Sequence, residues 1–274
     1  MTQPTQIDST SSSSTVFIFG MTQRVGTNYL QRLMSRHPDC TNCPPIWEDY
    51  LLYASPHLVD FTNQVEKNWG PWKHKGPYKE ELLECLGNGL ISFLGYRAAS
   101  RNHRLLTKTP SIKGLQYFPR LFPNARCVIL IRDGRSVVSS LMAGFKREFK
   151  ESCRTWTNAA EFLTSTRCDD SSFSKHHLII RYEDLVSHTV DTLKIIFEYF
   201  SIESDDYDFD DIDETPIYGS SFFRGGEEKM HWKPVEISED FRKMCRWQDW
   251  TDHHHKEFRK IAGKSMEALG YSLR

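Results

Sequence analysis

Apolar positions along the chain fall into two alternating patterns. Short unbroken runs occur at Val16–Phe19, Leu105–Thr107, Cys127–Ile131 and Leu178–Arg181. Runs of this length, rich in β-branched and aromatic residues, predict strands covered on both faces. Between them the apolar residues recur at helical spacing: Leu30, Leu33 and Met34, closed by His37-Pro38; Leu115, Phe118 and Leu121-Phe122; then Val186, Val190, Leu193, Phe197 and Phe200. A last long helix is predicted to begin with Phe241, Met244, Cys245 and Gln248, followed by one ending at Leu269-Gly270-Tyr271. Strands separated by helices imply βαβ units, so the expected fold is α/β, a P-loop-type parallel sheet flanked by helices. Its ligand should lie at the carboxyl ends of the strands. Residues 1–14, rich in Ser, Thr and Gln, have little to bury and are expected to form a disordered tail on a single domain spanning 15–274.

The first strand leads into Gly20-Met21-Thr22-Gln23-Arg24-Val25-Gly26-Thr27-Asn28-Tyr29. A strand, a tight loop and a helix start form an anion cradle, because the first helical N–H groups lack intrahelical partners. This is not a Walker A loop, which has four residues between its glycines and a lysine after the second. Here five residues separate Gly20 from Gly26, and the cation, Arg24, precedes the helix. Placed there it can neutralise charge developing on a leaving oxygen. A second cluster follows the Cys127–Ile131 run: Arg132 at a strand end, with Ser140 eight residues on in the next helix, can clamp a second anion. Two such sites suggest a nucleotide with phosphates at both ends of its ribose.

The order of GxxxRxGT, Lys108-Thr109-Pro110, RLFPNARCVILIRDGRSVVSS (120–140), RYEDL (181–185) and a late RGG…WKP (224–234) resembles sulfotransferases that use 3′-phosphoadenosine 5′-phosphosulfate. It is most similar to the tyrosylprotein and bacterial members. The resemblance implies that Val25, Gly26, Thr27 and Asn28 hold the 5′-phosphosulfate and that Arg24 covers the bridging oxygen. It further assigns the 3′-phosphate to Arg132 and Ser140, with Arg224, Gly225 and Gly226 as a third contact and Lys233 reaching the nucleotide. Tyr29 and Tyr182 are the two candidates for stacking on adenine, ordinary core packing being the alternative for each. Lys108 is implied as a stabiliser of transferred charge, or else as half of a structural ion pair. Cytosolic members carry a histidine base where this chain has Pro110. The bacterial and tyrosylprotein members use a glutamate soon after the His-Pro that ends the first helix. Here that position falls on Glu48, with Asp49 as runner-up and His57 or His74 as further possibilities. A carboxylate beside Trp47 would be partly desolvated and its proton affinity raised.

Composition narrows the partners. The 274 residues hold 35 Lys and Arg against 36 Asp and Glu, a net charge of −1, and lack the basic excess of a nucleic-acid binder. No run of 18 apolar residues and no signal-peptide pattern is present, so no membrane span and a cytoplasmic location are expected. On that basis a small-molecule or carbohydrate acceptor is favoured. The segment from Trp47 to Lys79, read as loop-rich, would shape its pocket with Tyr53, His57, Trp69, Trp72, His74 and Tyr78. Seven cysteines imply reduced thiols, and neither Cys40-Thr41-Asn42-Cys43 nor the run His253-His254-His255 has the spacing of a metal site, so no metal is expected. The acidic stretch 203–211 reads as a solvated loop. A P-loop kinase and a nucleotide-binding protein without activity are the rival readings, the first weakened by the misplaced cation.

Overall fold

A computed structural model of the chain describes residues 14–98, 103–169, 176–210, 212, 215 and 246–273. The chain runs through β1 (Val16–Gly20), α1 (Thr27–Met34), β2 (Cys40–Thr41), α2 (Ser55–Lys67), α3 (Tyr78–Arg97), β3 (Arg104–Thr109), α4 (Phe118–Leu121), β4 (Arg126–Ile131), α5 (Gly134–Phe145), α6 (Phe149–Asp169), β5 (His177–Arg181), α7 (Tyr182–Ser187), α8 (Thr189–Phe200) and α9 (Asp252–Ala268). The five strands form one sheet in the order β2-β3-β1-β4-β5, every neighbouring pair parallel. β1 pairs with β3 on one side and β4 on the other, with Phe19 opposite Thr109 and Gly20 opposite Leu130. The carboxyl ends of these three strands therefore lie side by side, which is where an open parallel sheet takes its ligand.

All four expected strands are present, and β1 and β4 explain their apolar runs: Val16–Phe19 and Cys127–Ile131 are 0–3 % exposed. Phe17 packs edge-on against Phe118 at 5.1 Å and against Phe122 at 4.8 Å, fastening the short α4 to the sheet. Two long helices lie outside the predicted set. α3 buries Leu83, Gly87, Ile91 and Leu94, and α6 buries Cys153, Trp156, Ala160 and Leu163, both at spacings of three and four. The segment read as loop-rich instead contains α2 and the start of α3. The helix expected from Phe241 lies outside the described residues as far as Cys245, and Arg246–Asp249 is a single 3₁₀ turn before α9. Among the described residues no helix is long and apolar enough to cross a membrane.

Candidate active site

β1 ends at Gly20, and the chain returns across that end through Met21–Val25 before α1 begins. A Cβ at Gly20 would sit 2.8 Å from Thr22 O and 2.8 Å from Val25 Cγ2, so the fold-back needs a glycine. Gly26 caps α1 with φ +100°, a left-handed conformation that costs other residues free energy. The Tyr182 ring lies against it, 2.2 Å from where a Cβ would be. Tyr29 N–H and Leu30 N–H are the first to turn back, donating to Gly26 O at 3.0 and 3.2 Å. The amides ahead of them, on Gly26, Thr27 and Asn28, have no preceding helical carbonyl to bond.

The second predicted anion site is joined to this loop. Arg132, just past β4, donates through Nη1 to Arg24 O at 3.1 Å, and Arg24 Nε donates to Ser140 Oγ on α5 at 2.9 Å. Arg24 itself has φ +73°, so the loop turns sharply there and sends the guanidinium toward α5. Arg132 lies 4.3 Å above the Tyr182 ring, and Trp156 Nε1 donates to Arg132 O at 3.2 Å. The neighbouring motif residues are framework. Asp133 caps α5, accepting from Arg135 N at 2.8 Å, and Glu183 accepts from Asp133 N at 3.0 Å and from the Tyr271 hydroxyl at 3.1 Å. These bonds fix the β4–α5 turn against the β5–α7 turn.

On the other side of α1 lies a polar cluster at the end of β3. Lys108 Nζ sits 3.0 Å from Glu48 Oε1 and also donates to Asn28 Oδ1 in the first turn of α1. The Lys108 side chain is 2 % exposed, and burial lowers its proton affinity while the Glu48 charge opposes that shift. Glu48 remains one-third exposed and accepts from the Tyr50 hydroxyl at Oε2, 2.8 Å away. The predicted Arg24, Val25, Gly26, Thr27, Asn28, Arg132 and Ser140 are thus brought together with Lys108 and Glu48 along one sheet edge. Arg224, Gly225, Gly226 and Lys233 lie outside the described residues.

Tyr29 and Tyr182 take the packing alternative that each carried, and the expectations for Asp49 and Trp47 need correction. Tyr29 is 1 % exposed and belongs to the core, so its ring has no surface for a base. Tyr182, 7 % exposed and covered by Arg132, braces the arginine and the glycine turn and presents no open stacking face. Asp49 is a fastening and not a base: Oδ2 accepts from Lys108 N at 2.7 Å, and Oδ1 accepts from Thr109 Oγ1 at 2.9 Å and Leu51 N at 3.0 Å. Burial pushes its carboxyl up, and these bonds pull it back. Nor does Trp47 cover Glu48 as expected. Trp47 is 54 % exposed, and the ring on the carboxylate belongs to Tyr50, which the sequence reading passed over. A tyrosine two residues after the candidate base was the available signal.

Other chemistry-bearing residues prove structural. His37 is buried, its Nε2 bonded to Glu203 O at 2.9 Å and its Nδ1 accepting from Asp39 N at 3.0 Å. Burial pushes the Cys40 thiol up to about 12, which leaves it unionised. In the acidic stretch, Tyr207 is buried and donates to Leu33 O at 3.0 Å, so part of that segment closes over α1.

A five-stranded parallel sheet with the turns after β1 and β4 joined through Arg24 and Arg132 at its carboxyl edge defines an α/β protein. The chain belongs to the sulfotransferase family, whose model matches residues 15–206. It is 29 % identical over 199 residues to protein-tyrosine sulfotransferase A of Caenorhabditis elegans, covering 69 % of this chain and 51 % of that one. It is likewise 29 % identical over 198 residues to protein-tyrosine sulfotransferase 1 of Danio rerio, covering 70 % and 54 %. The chain thus spans about half the length of these curated relatives. In fold it is similar to the sulfotransferase domain of the Synechococcus PCC 7002 olefin synthase, with a TM-score of 0.58, 17 % identity and 95 % of each chain covered.

Proposed function

We propose that this protein transfers a sulfuryl group from 3′-phosphoadenosine 5′-phosphosulfate to an acceptor hydroxyl. The observation that carries this reading is the bonding of Arg132 to Arg24 O and of Arg24 to Ser140, which makes two anion sites into one. A ligand with anionic groups at both ends of a ribose suits that pair. The chain's own residues fit such a donor: the first amides of α1 have no carbonyl partner within the helix, and two arginines, Arg24 and Arg132, stand beside them. In this reading the loop 25–28 holds the 5′ end and Arg132 with Ser140 the 3′-phosphate. When bound, the donor supplies an activated sulfuryl group on a phosphate leaving group.

The rest of the chemistry falls to the cluster at the end of β3. Glu48 takes the proton of the acceptor hydroxyl, being the partly exposed carboxylate beside the loop. Lys108 places a cation between Glu48 and the first turn of α1, and the Glu48 charge in turn favours the charged form of that buried amine against its burial. Arg24 sits on the opposite side, where charge accumulates on the departing phosphate. For the acceptor, the names of the relatives support a peptide tyrosine. Trp47, next to Glu48 in sequence and about half exposed, is an aromatic face that suits a tyrosyl ring, a small phenol or a sugar. Purified protein incubated with the donor and a panel of tyrosine peptides, small phenols and oligosaccharides tests both parts. The acceptor is the compound that gains the mass of one SO₃ group. No gain in any class, together with failure to bind the bisphosphate nucleotide, would reject the reading.

A further inference from the structure

Residues 48–50 are built around their middle member. Asp49 is bolted to the end of β3 from both its side chain and its backbone, since its own N–H also donates to Lys108 O at 3.1 Å. With Asp49 turned inward, the residues on either side are held facing the site. Tyr50 then adopts φ +49°, a left-handed conformation that a bulky aromatic residue rarely takes. The sharp turn brings its phenol back onto Glu48, two residues earlier, where the hydroxyl donates to Oε2 at 2.8 Å. The other carboxylate oxygen, Oε1, is held by Lys108. Tyr50 is braced in turn by Tyr53, whose ring stands edge-on to it at 6.0 Å, and Tyr53 carries Lys113 over its face at 3.9 Å. The hydrogen bond also acts on Tyr50: burial first, then the Glu48 charge and bond, push its phenol up to about 12. Gln23, from the loop that cradles the anion, opposes that shift by bonding the phenol.

We infer that Tyr50 is a positioning residue for the base: its hydroxyl holds the Glu48 carboxylate in one orientation at the site. The inference rests on Glu48 being the base. The physical reason is that two donors on separate oxygens, Lys108 on Oε1 and Tyr50 on Oε2, keep the carboxylate from rotating, so it is already oriented when the acceptor arrives. The groups bonded to Glu48 are Lys108 from β3 and Tyr50 from its own loop, and Lys108 is held in turn by Asn28 from α1. The charge of Asp49 is directed away from it into the β3 end. Tyr50→Phe removes a donor to Glu48 without changing the charge of the site.

Tyr50→Phe keeps the ring and its contact with Tyr53 and removes one hydroxyl. Carbon-13 NMR of glutamate-labelled full-length protein without ligand, with the Glu48 signal assigned from Glu48→Gln, follows the carboxyl directly. The expected result is that the Glu48 signal shifts in Tyr50→Phe at a fixed neutral pH, and that kcat with whichever acceptor the panel identifies falls about tenfold while affinity for the bisphosphate nucleotide is unchanged; tenfold is the scale of a lost hydrogen bond to a charged group. A signal and a kcat unchanged in Tyr50→Phe, with Glu48→Gln inactive, overturn the role of Tyr50 and leave the base in place. A Glu48→Gln variant of full activity overturns the base assignment, and the role of Tyr50 with it.

Discussion

Replacing Gly26 by alanine adds a single methyl group and tests the anion loop where it is most constrained. Two costs arise, and both can be worked from the geometry. At φ +100° the new Cβ meets the backbone penalty of left-handed L-residues, on the order of 1–2 kcal/mol. That Cβ would also stand 2.2 and 2.4 Å from the Cδ2 and Cε2 atoms of Tyr182, far inside van der Waals contact. Overpacking of this kind costs about 1–3 kcal/mol once neighbours shift. The sum, roughly 2–5 kcal/mol, corresponds to a fall in melting temperature of roughly 4–20 °C for a domain of this size. Part of the strain is relieved by moving Tyr182, which carries Arg132 on its face, so nucleotide affinity should fall along with stability. Gly20→Ala provides the comparison, since its Cβ meets neighbours at 2.8–2.9 Å with no left-handed φ, and its loss of stability should be the smaller. Thermal unfolding and calorimetric titration of both variants measure these effects. If Gly26→Ala unfolds within 2 °C of the parent and binds adenosine 3′,5′-bisphosphate equally well, the reasoning about this turn is wrong.

Glu48→Gln should fold normally and slow transfer to a hydroxyl by about 10²–10⁴, the range for general base catalysis, in single-turnover assays. Arg24→Ala should lower turnover by about 10²–10³ with a smaller effect on nucleotide binding, as loss of a transition-state donor does. Asp49→Asn turns an amide NH₂ toward at least one of the donors Lys108 N–H, Leu51 N–H or the Thr109 hydroxyl. Denaturant unfolding should therefore show a loss of about 1.5–3 kcal/mol. Lys108, whose proton affinity burial lowers, is shed of its proton by the folded chain at a lower pH than by the unfolded one. Its contribution to stability thus rises with pH across that window, and Lys108→Met should flatten the alkaline part of the stability profile.

What the sequence made legible was the part governed by unbroken apolar runs and by local turns. β1 and β4 announce themselves because both faces are covered, and the anion loop because a strand, two glycines and a helix start follow one another directly. β2 was hidden, being two residues long and paired only through Cys40 and Thr41. α3 and α6 carry their buried residues at regular spacing, but Asn88 and Gly89 in one and Thr155, Thr157 and Asn158 in the other dilute the stripe. The tyrosines show a different limit. Tyr29 follows the loop at the position of a stacking aromatic, yet helical phase turns it into the core with Leu30 and Leu33. The separate duties of Glu48 and Asp49 are not written in their adjacency. They follow from which of two neighbouring side chains faces β3, and that is settled only once Lys108 and Thr109 are in place.

The central claim is that the two stitched turns bind one nucleotide bearing phosphate at both ends of its ribose. Calorimetric titration with adenosine 3′,5′-bisphosphate and with adenosine 5′-monophosphate, on the parent and on Arg132→Ala, tests it most directly. The 3′-phosphate should gain roughly ten- to a hundredfold in affinity on the parent, the worth of a charge-assisted hydrogen bond, and Arg132→Ala should erase that gain. Equal affinity of the parent for the two nucleotides, or an Arg132→Ala variant that weakens both alike, would contradict the account.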